Sequence, residues 1–390
     1  MNIDFHYYAT YCAAFLAGYT HEEALEICYS AQLVDNCSRT FLSRIKGPSA
    51  AATTQLQLEL MSARTDLIGL QDITRIWASF HFLPRDLKAV RKHCSRRYMN
   101  KYRLICGPNG SLLKETVELA SGKSLQAAGL AMHILADTWA HRYFAGTPSL
   151  AINNTTYHFF EVMPDGSEYQ IRFKHSPSAP DEPETHTYVS SIFQYNENSI
   201  MNLGHGRAGH LPDYSFVKYK YLPAWADYDE VLKDNPSDYL HAFAQMVYAF
   251  RYLRGDTEQF ETDTYAFDVI EPFRERIEKI LNTRQTDSCD DWRNFGTELS
   301  GCGVEAFDLE KYQQEYIEAD KDNKNATFLG KFILAALAQK SMVTNRIFKS
   351  GNPLAGLSAD YSERGFVGIK DFVELIEVLN PIGAIEIKDE

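Results

Sequence analysis

Three ionisable side chains follow one another at intervals of four: His133, Asp137 and His141, in the segment Met132-His133-Ile134-Leu135-Ala136-Asp137-Thr138-Trp139-Ala140-His141. Each interval turns an α-helix by about 40° and advances it by about 6 Å, so the three project from one stripe roughly 80° wide. The outer two lie about 12 Å apart along such a helix, too far to share one ion, because metal–nitrogen bonds are about 2 Å long. A carboxylate has two oxygens and can bridge two ions. The spacing therefore suits at least two metals, with His133 and Asp137 serving one and Asp137 or His141 approaching another. The helix around them, about residues 124–144, is nearly uncharged. It is expected to be buried on most sides, where three ionisable groups need partners. The other reading is a plain His–Asp pair, one turn apart, that steadies the helix.

A metal cluster needs ligands from elsewhere in the chain. Asp4-Phe5-His6 sets a carboxylate and an imidazole in an apolar segment, Asp35 closes an apolar helix, and His81 follows another. The stretch Asn202 to Asp213 holds His205, His210 and Asp213 among small residues, which let backbone and ion come close. Each of these, taken alone, also suits a core or capping role. His158 and Glu161 stay open as ligands. His21, His93, His175, His186 and His241 sit in polar or basic surroundings and read as surface residues.

The elements that would position these groups are mostly helical. Residues 4–17 suit a buried helix. Thr20 and Glu23 have capping-box spacing at the start of a helix running to about Asp35. Residues 49–65, 68–82 and 111–121 follow the same period; Gly122 ends the last of these, and Ser124 can cap the central helix. The pattern then changes. Residues 155–175 alternate with period two around Pro164-Asp165-Gly166, a β-hairpin signature, and 176–187 make a polar loop. Helical pattern returns at 237–254, with Ser237 near its cap, and near 264–283, 308–320, 326–348 and 369–379. The expected fold is mainly α: a multi-helix globular bundle with a small β-hairpin insertion. Residues 1–283 form its metal-binding domain and 284–390 a C-terminal helical extension, with 284–305 as the linker candidate.

Composition bounds the function. In 390 residues, 45% are apolar and 23% charged, the balance of a chain with a real core. Aromatic residues reach 13%, with 23 Tyr and 23 Phe, which suits a thick aromatic core. A net charge of −13 argues against a broad nucleic-acid surface, although bound metal ions can reverse the local sign. Arg85 to Arg103 carries eight Lys or Arg against one Asp; it reads either as a phosphate- or lipid-binding stretch or as a solvated helix face. The seven scattered cysteines show no paired spacing and read as reduced thiols. With no basic leader, no apolar signal core and no run of eighteen apolar residues, a cytoplasmic location is expected.

The segment from Met132 to His141 resembles the central zinc-binding helix of the zinc-dependent phospholipase C and single-strand-specific nuclease superfamily. That resemblance implies an all-helical fold and two or three zinc ions. His133 and Asp137 match the motif directly, and His141 matches it with altered spacing. Asp35 suits the early Asp and His81 the His before the motif, both on the first ion. Asp137 would bridge to a second ion held with His6 and the N-terminal residue, with the Met1 amine or Asp4 in that last place. His141 would hold the third with His205 and Asp213, or with His210 in place of His205. Across most of its length the chain also resembles an uncharacterised bacterial family sharing Asp4-Phe5-His6-Tyr7 and Gly204-His205-Gly206-x-x-Gly209-His210-x-Pro212-Asp213. The superfamily implies a phosphodiester or phosphomonoester hydrolase, with Asp137 bridging and Asp35 or Asp4 as base. Its substrate would be a lipid headgroup, a nucleotide or a nucleic-acid end, a long duplex being the least suited. The alternative is a non-enzymatic helical interaction protein with a structural metal or a buried His–Asp network.

Overall fold

The computed structural model describes residues 1–56, 67–90, 96–147, 149–175, 179–190 and 205–352. The chain opens on a buried segment that is helical throughout but not uniformly so. Asp4–Ala9 is a π-helical turn, closed by Thr10 N–H donating to Phe5 O, and it runs into α1 (Thr10–Leu16). π-helical turns concentrate at functional sites, and this one carries His6. The predicted capping box then opens α2 (His21–Asn36): Glu23 N donates to Thr20 Oγ1 (3.3 Å) and Thr20 N to Glu23 Oε2 (2.9 Å).

α3 (Arg39–Arg44) follows. Of the helix expected over 49–65, Ser49–Ala51 is one 3-10 turn, 52–56 are not helical, and 57–66 lie outside the described residues. The backbone there is committed to α2 instead: Thr53 N donates to Cys37 O (2.9 Å) and Thr53 Oγ1 to Val34 O (2.6 Å). α4 (Leu67–Phe80) answers the expected 68–82, and α5 (Arg96–Tyr102) and α6 (Ser111–Ala120) come next.

The central helix α7 (Leu125–Ala140) is capped by Ser124 and buried on all sides after its first residue. It packs against α2, α6, α10 (Asn235–Leu253) and α15 (Phe328–Lys349). Gly129 makes the α2 contact possible, since a Cβ there would stand 2.2 Å from Ile27 O and 2.7 Å from Ser30 Cβ. The helix stops short of the expected 144. His141 is its C-cap residue, with φ −90° and ψ 13°.

The expected hairpin at 155–175 is shorter and belongs to a larger sheet. After α8 (Leu150–Asn153), β1 (Phe160–Val162) and β2 (Glu168–Gln170) form the hairpin itself. β3 (Arg172–Lys174) leaves to pair in parallel with β4 (Thr187–Val189), which begins at the last residue of the expected polar loop. Past α9 (His205–Ala208), β5 (Lys218–Tyr221) and β6 (Val231–Asp234) complete a four-stranded antiparallel sheet of order β2-β1-β5-β6. β6 runs straight into α10, whose cap is Asp234 rather than Ser237: Ser237 N donates to Asp234 Oδ1 (3.3 Å).

The run expected over 264–283 is interrupted. α11 (Phe267–Ile270) passes through a 3-10 turn, Glu271–Phe273, into α12 (Arg274–Asn282), because Pro272 cannot continue an α-helical hydrogen-bond ladder. The linker candidate 284–305 contains α13 (Cys289–Ser300), which buries Trp292 edge-on against Phe5 (ring centroids 6.0 Å). α14 (Gln313–Glu318) and α15 end the described chain; the helix expected at 369–379 lies outside it. One apolar cluster contains side chains from Met1 to Ile347 and so includes residues on both sides of 284–305. A second lies under the sheet, around Phe159, Tyr188, Tyr219 and Tyr221. No helix among the described residues is long and apolar enough to cross a membrane.

The close approach at Gly129 sets an expectation. Gly129→Val should lower stability by about 1–3 kcal/mol, the usual cost of overpacking, and a thermal melt monitored by circular dichroism would register it. An unchanged melting temperature would mean that α2 and α7 can separate freely.

Candidate metal centre

Asp137, 1% exposed and at the middle of the central helix face, is the hub. Its two oxygens face two different sets of groups. Oδ1 meets the Met1 amine at 2.7 Å and His6 Nε2 at 3.1 Å. Oδ2 meets His81 Nδ1 at 3.1 Å, His133 Nε2 at 3.2 Å and His141 Nδ1 at 3.5 Å. On a continuous helix His133 and His141 would stand apart. Each stands one turn from Asp137, on either side of it, so both reach the same oxygen, His141 from the C-cap position beyond Ala140.

Further groups complete the cluster. Asp35 Oδ1, at the end of α2, lies 3.8 Å from both His81 Nδ1 and His133 Nε2. Asp213 reaches His141 Nε2 with Oδ1 (3.2 Å) and His205 Nε2 with Oδ2 (3.4 Å), and its Oδ1 is 3.3 Å from the Met1 amine. Three sets of potential ligands result: His6, His133 and Asp137; Asp35, His81 and His133; His141, His205 and Asp213. Within each set one donor atom per residue lies within 4.8 Å of the others. All eight residues singled out as ligands in the sequence thus meet in one place.

Proton placement tests whether these sets suit cations. His81 Nε2 lies 3.0 Å from Thr53 O, and a carbonyl only accepts. Nε2 therefore carries the proton, and Nδ1 turns a lone pair toward Asp137 Oδ2. His141 repeats the arrangement: Nδ1 donates to His81 O (2.7 Å), leaving a lone pair on Nε2 facing Asp213 Oδ1. Lone pairs opposed at such distances repel unless a cation or a second proton lies between them. Backbone carbonyls that hold the far nitrogen of a histidine are the usual outer support of a metal ligand. Nδ1 of His6 and Nδ1 of His133 are buried without a hydrogen-bond partner among the described residues, and Nε2 of His6 and of His205 face the carboxylates of Asp137 and Asp213 without good hydrogen-bond geometry, a costly state that a bound ion relieves. His6 and His133 stack face to face at 3.7 Å, and Phe82 stacks on His141 at 4.7 Å.

The electrostatics run the same way. Burial lowers the pKa of the Met1 amine, but Asp137, Asp213 and Asp35 outweigh it and raise the value to about 11. Burial would raise Asp137; His141, the amine, His133 and His6 together hold it well below the usual carboxylate range. Asp213 is likewise held well below it, against its burial, by the amine and His205. Burial drives His6 well below its ordinary value, helped by His133 and the amine, and lowers His141 despite Asp137. The cluster thus holds Asp137 and Asp213 ionised beside His6 and His141, which resist a second proton. Neutral imidazole and ionised carboxylate are the ligand forms that zinc takes.

Several candidates are directed elsewhere. Asp4 turns away to Ser288 Oγ (2.5 Å) and Phe5 N (2.8 Å), which leaves it no part in the cluster. His210 pairs with Asp181 (2.8 Å), so His205 is the partner of Asp213. His158 is exposed, 4.0 Å from Glu230. Glu161 is buried but belongs to the sheet, where Arg284 (2.5 and 3.0 Å), His186 (2.7 Å) and Tyr188 (3.3 Å) enclose it. His186 is accordingly half-buried rather than a plain surface residue. His93 lies outside the described residues. Gly209 serves the chain rather than an ion: at φ +61°, a Cβ there would stand 1.8 Å from Val189 O.

One supporting residue escaped the sequence reading. Lys233, fully buried, donates to Trp139 O (3.0 Å) at the end of the central helix and to Asp238 Oδ2 (2.5 Å); Arg142 holds the other oxygen of Asp238 (3.2 Å). The available signal was an inverted alternation in β6, where Leu232 points outward and Lys233 inward.

The molecule is thus a mainly helical protein built around a buried centre of imidazoles and carboxylates. The chain belongs to DUF6765, a family of unknown function whose model matches residues 1–347. No curated protein and no solved structure matches the chain.

Lys233→Met should lower stability by about 3–5 kcal/mol, the usual effect of breaking a buried ion pair. Denaturant unfolding would measure it; a loss under 1 kcal/mol would mean that Arg142 alone satisfies Asp238.

Proposed function

We propose that the cluster holds two or three zinc ions and that the protein hydrolyses phosphate esters, a phosphodiester or phosphomonoester of lipid-headgroup or nucleotide class. The observation that carries this is the division of Asp137: one oxygen faces His6, the other His81 and His133, as a bridging carboxylate requires. Asp35, His81, His133 and Asp137 would hold one ion. His6 and Asp137, beside the Met1 amine, would hold a second, and His141, His205 and Asp213 a third. Imidazole and carboxylate donors suit zinc. Bound there, zinc polarises a phosphoryl oxygen and lowers the pKa of a water molecule.

The residues of the chain supply positioning and proton transfer. Asp137 fixes the distance between the ligand sets. The carbonyls of Thr53 and His81 orient His81 and His141. Asp35, its side chain 31% exposed, sits where the cluster opens to solvent and would accept a proton from an attacking water. The second and third sets hold fewer than four protein ligands and so leave positions for water, as a catalytic site does where a structural one is closed by four. The resemblance of the segment from Met132 to His141 to the zinc-dependent phospholipase C and nuclease superfamily points the same way. A second reading, a buried His–Asp network without catalysis, draws on the full hydrogen bonds of His81 and His141 to carbonyls. It leaves Nδ1 of His6 and Nδ1 of His133 without a role.

Elemental mass spectrometry on protein purified without a metal-affinity tag is the first test. Two or more zinc equivalents are expected, with a clear fall in His133→Ala. Less than a tenth of an equivalent in both, after zinc is offered, would sink the reading. A chromogenic phosphodiester and phosphomonoester screen follows. There Asp35→Asn should cut turnover by about 10²–10⁴-fold; unchanged turnover at equal zinc content would remove Asp35 as the base.

A further inference from the structure

On the far flank of the central helix lies a cavity that the metal cluster does not use. Trp139, which lines it, follows Asp137 by two residues and so stands about 200° around the helix axis from it. The cavity measures about 540 Å³, inside the range of about 300–1,000 Å³ usual for small-molecule sites.

Its walls combine cations with flat rings. Arg85 and Arg142 both line it. Arg85 is exposed, and its guanidinium makes no ion pair or hydrogen bond among the described residues; its stem lies beside Gly107. Arg142 shares the buried Asp238 and stands over the Tyr143 ring at 4.7 Å. The two guanidinium-bearing residues thus line one cavity from different segments of the chain. Tyr143 stacks on Trp225 at 5.9 Å and 24°. Asp86, exposed, also lines the cavity and accepts from the backbone N of Lys88 through Oδ1 (2.8 Å).

The backbone at this cavity is strained. Tyr143 has φ +81° and Asn109 φ +61°, a region costly for side chains other than glycine and found where surrounding structure enforces it. Tyr143 is held there by its N–H to Cys106 O (3.0 Å) and by Trp225 Nε1 donating to its carbonyl (2.9 Å). Asn109 is held between Gln245 and Tyr265. Both residues line the cavity.

We propose that this cavity is a second ligand site, for a small phosphate-bearing molecule with a planar ring, of the nucleoside monophosphate class. Two guanidiniums match a phosphate dianion, which a forked donor pair binds better than a lone ammonium. Tyr102, Tyr143 and Trp225 line the cavity and offer aromatic edges for a planar ring, and Asp86 offers an acceptor for a sugar hydroxyl or ring amine. The site stands independently of the hydrolase reading, because none of these residues belongs to the metal cluster.

Trp139 and Trp225 provide the signal. Intrinsic fluorescence of the full chain is titrated with adenosine monophosphate, and separately with adenosine and inorganic phosphate. Saturable quenching by the monophosphate is expected, with weaker binding of either half alone. Arg85→Gln should raise Kd about tenfold or more, the loss of one charge-assisted contact, while His133→Ala should leave Kd unchanged. Arg85 is exposed and makes no ion pair among the described residues, so an unaltered melting temperature is expected for its variant. No saturable change at millimolar ligand would overturn the site, as would equal binding by Arg85→Gln. Loss of binding in His133→Ala would move the ligand to the metal cluster. Phosphate binding as tightly as the monophosphate would remove the ring from the proposal. None of these outcomes bears on zinc content, so the two readings fail separately.

Discussion

A single buried carboxylate organises this molecule. Asp137 sits where an unpaired charge would be prohibitive, and every neighbouring element is shaped by the need to surround it. The π-helical turn brings His6 to one oxygen. His133 and His141, one turn to either side, reach the other. Thr53 gives up a helical conformation so that its carbonyl can hold His81 from behind. Asp35 and Asp213 stand at the edges, where water reaches. The central helix is apolar on its remaining faces because it must be packed on all sides for that carboxylate to be enclosed.

Enclosure also explains the backbone choices. Gly129 lets α2 come close enough to deliver Asp35. Gly209 takes a left-handed turn under Val189 O, which positions the short helix bearing His205. Lys233 caps the end of the central helix from the sheet, so the second core is coupled to the first through one ammonium and the carboxylate of Asp238. Fold and centre are therefore not separable parts: the sheet secures the helix terminus that bears His141.

Much of this was legible in the sequence because local rules govern it. The Thr20–Glu23 capping box, the Ser124 cap and the helical periods of α2, α6, α7 and α15 are short-range signals, and the structure follows them. The eight candidate ligands were legible for a different reason: ionisable residues in apolar surroundings need partners, and each was found beside the others. What failed was long-range. Nothing local tells that α7 stops at Ala140, that β3 leaves the hairpin for β4, or that Thr53 is drawn to the end of α2. Asp234 outcompeted Ser237 as a cap because β6 ends there, a fact of tertiary pairing. Asp4 looked like a ligand from its neighbours, yet Ser288, almost three hundred residues away, claims it.

The enclosure of Glu161 by Arg284 bears on how this chain can be cut. The carboxylate comes from β1 and the guanidinium from the first residues after α12, a bidentate pair reaching across more than a hundred positions. A fragment ending at Thr283 would retain the sheet with that carboxylate still buried and its counter-charge gone. It would also lose α13, whose Trp292 backs the segment that carries His6. For anyone choosing expression boundaries, the smallest unit that keeps the centre intact therefore extends well past the last ligand in sequence. Residues far from the chemistry act as its masonry.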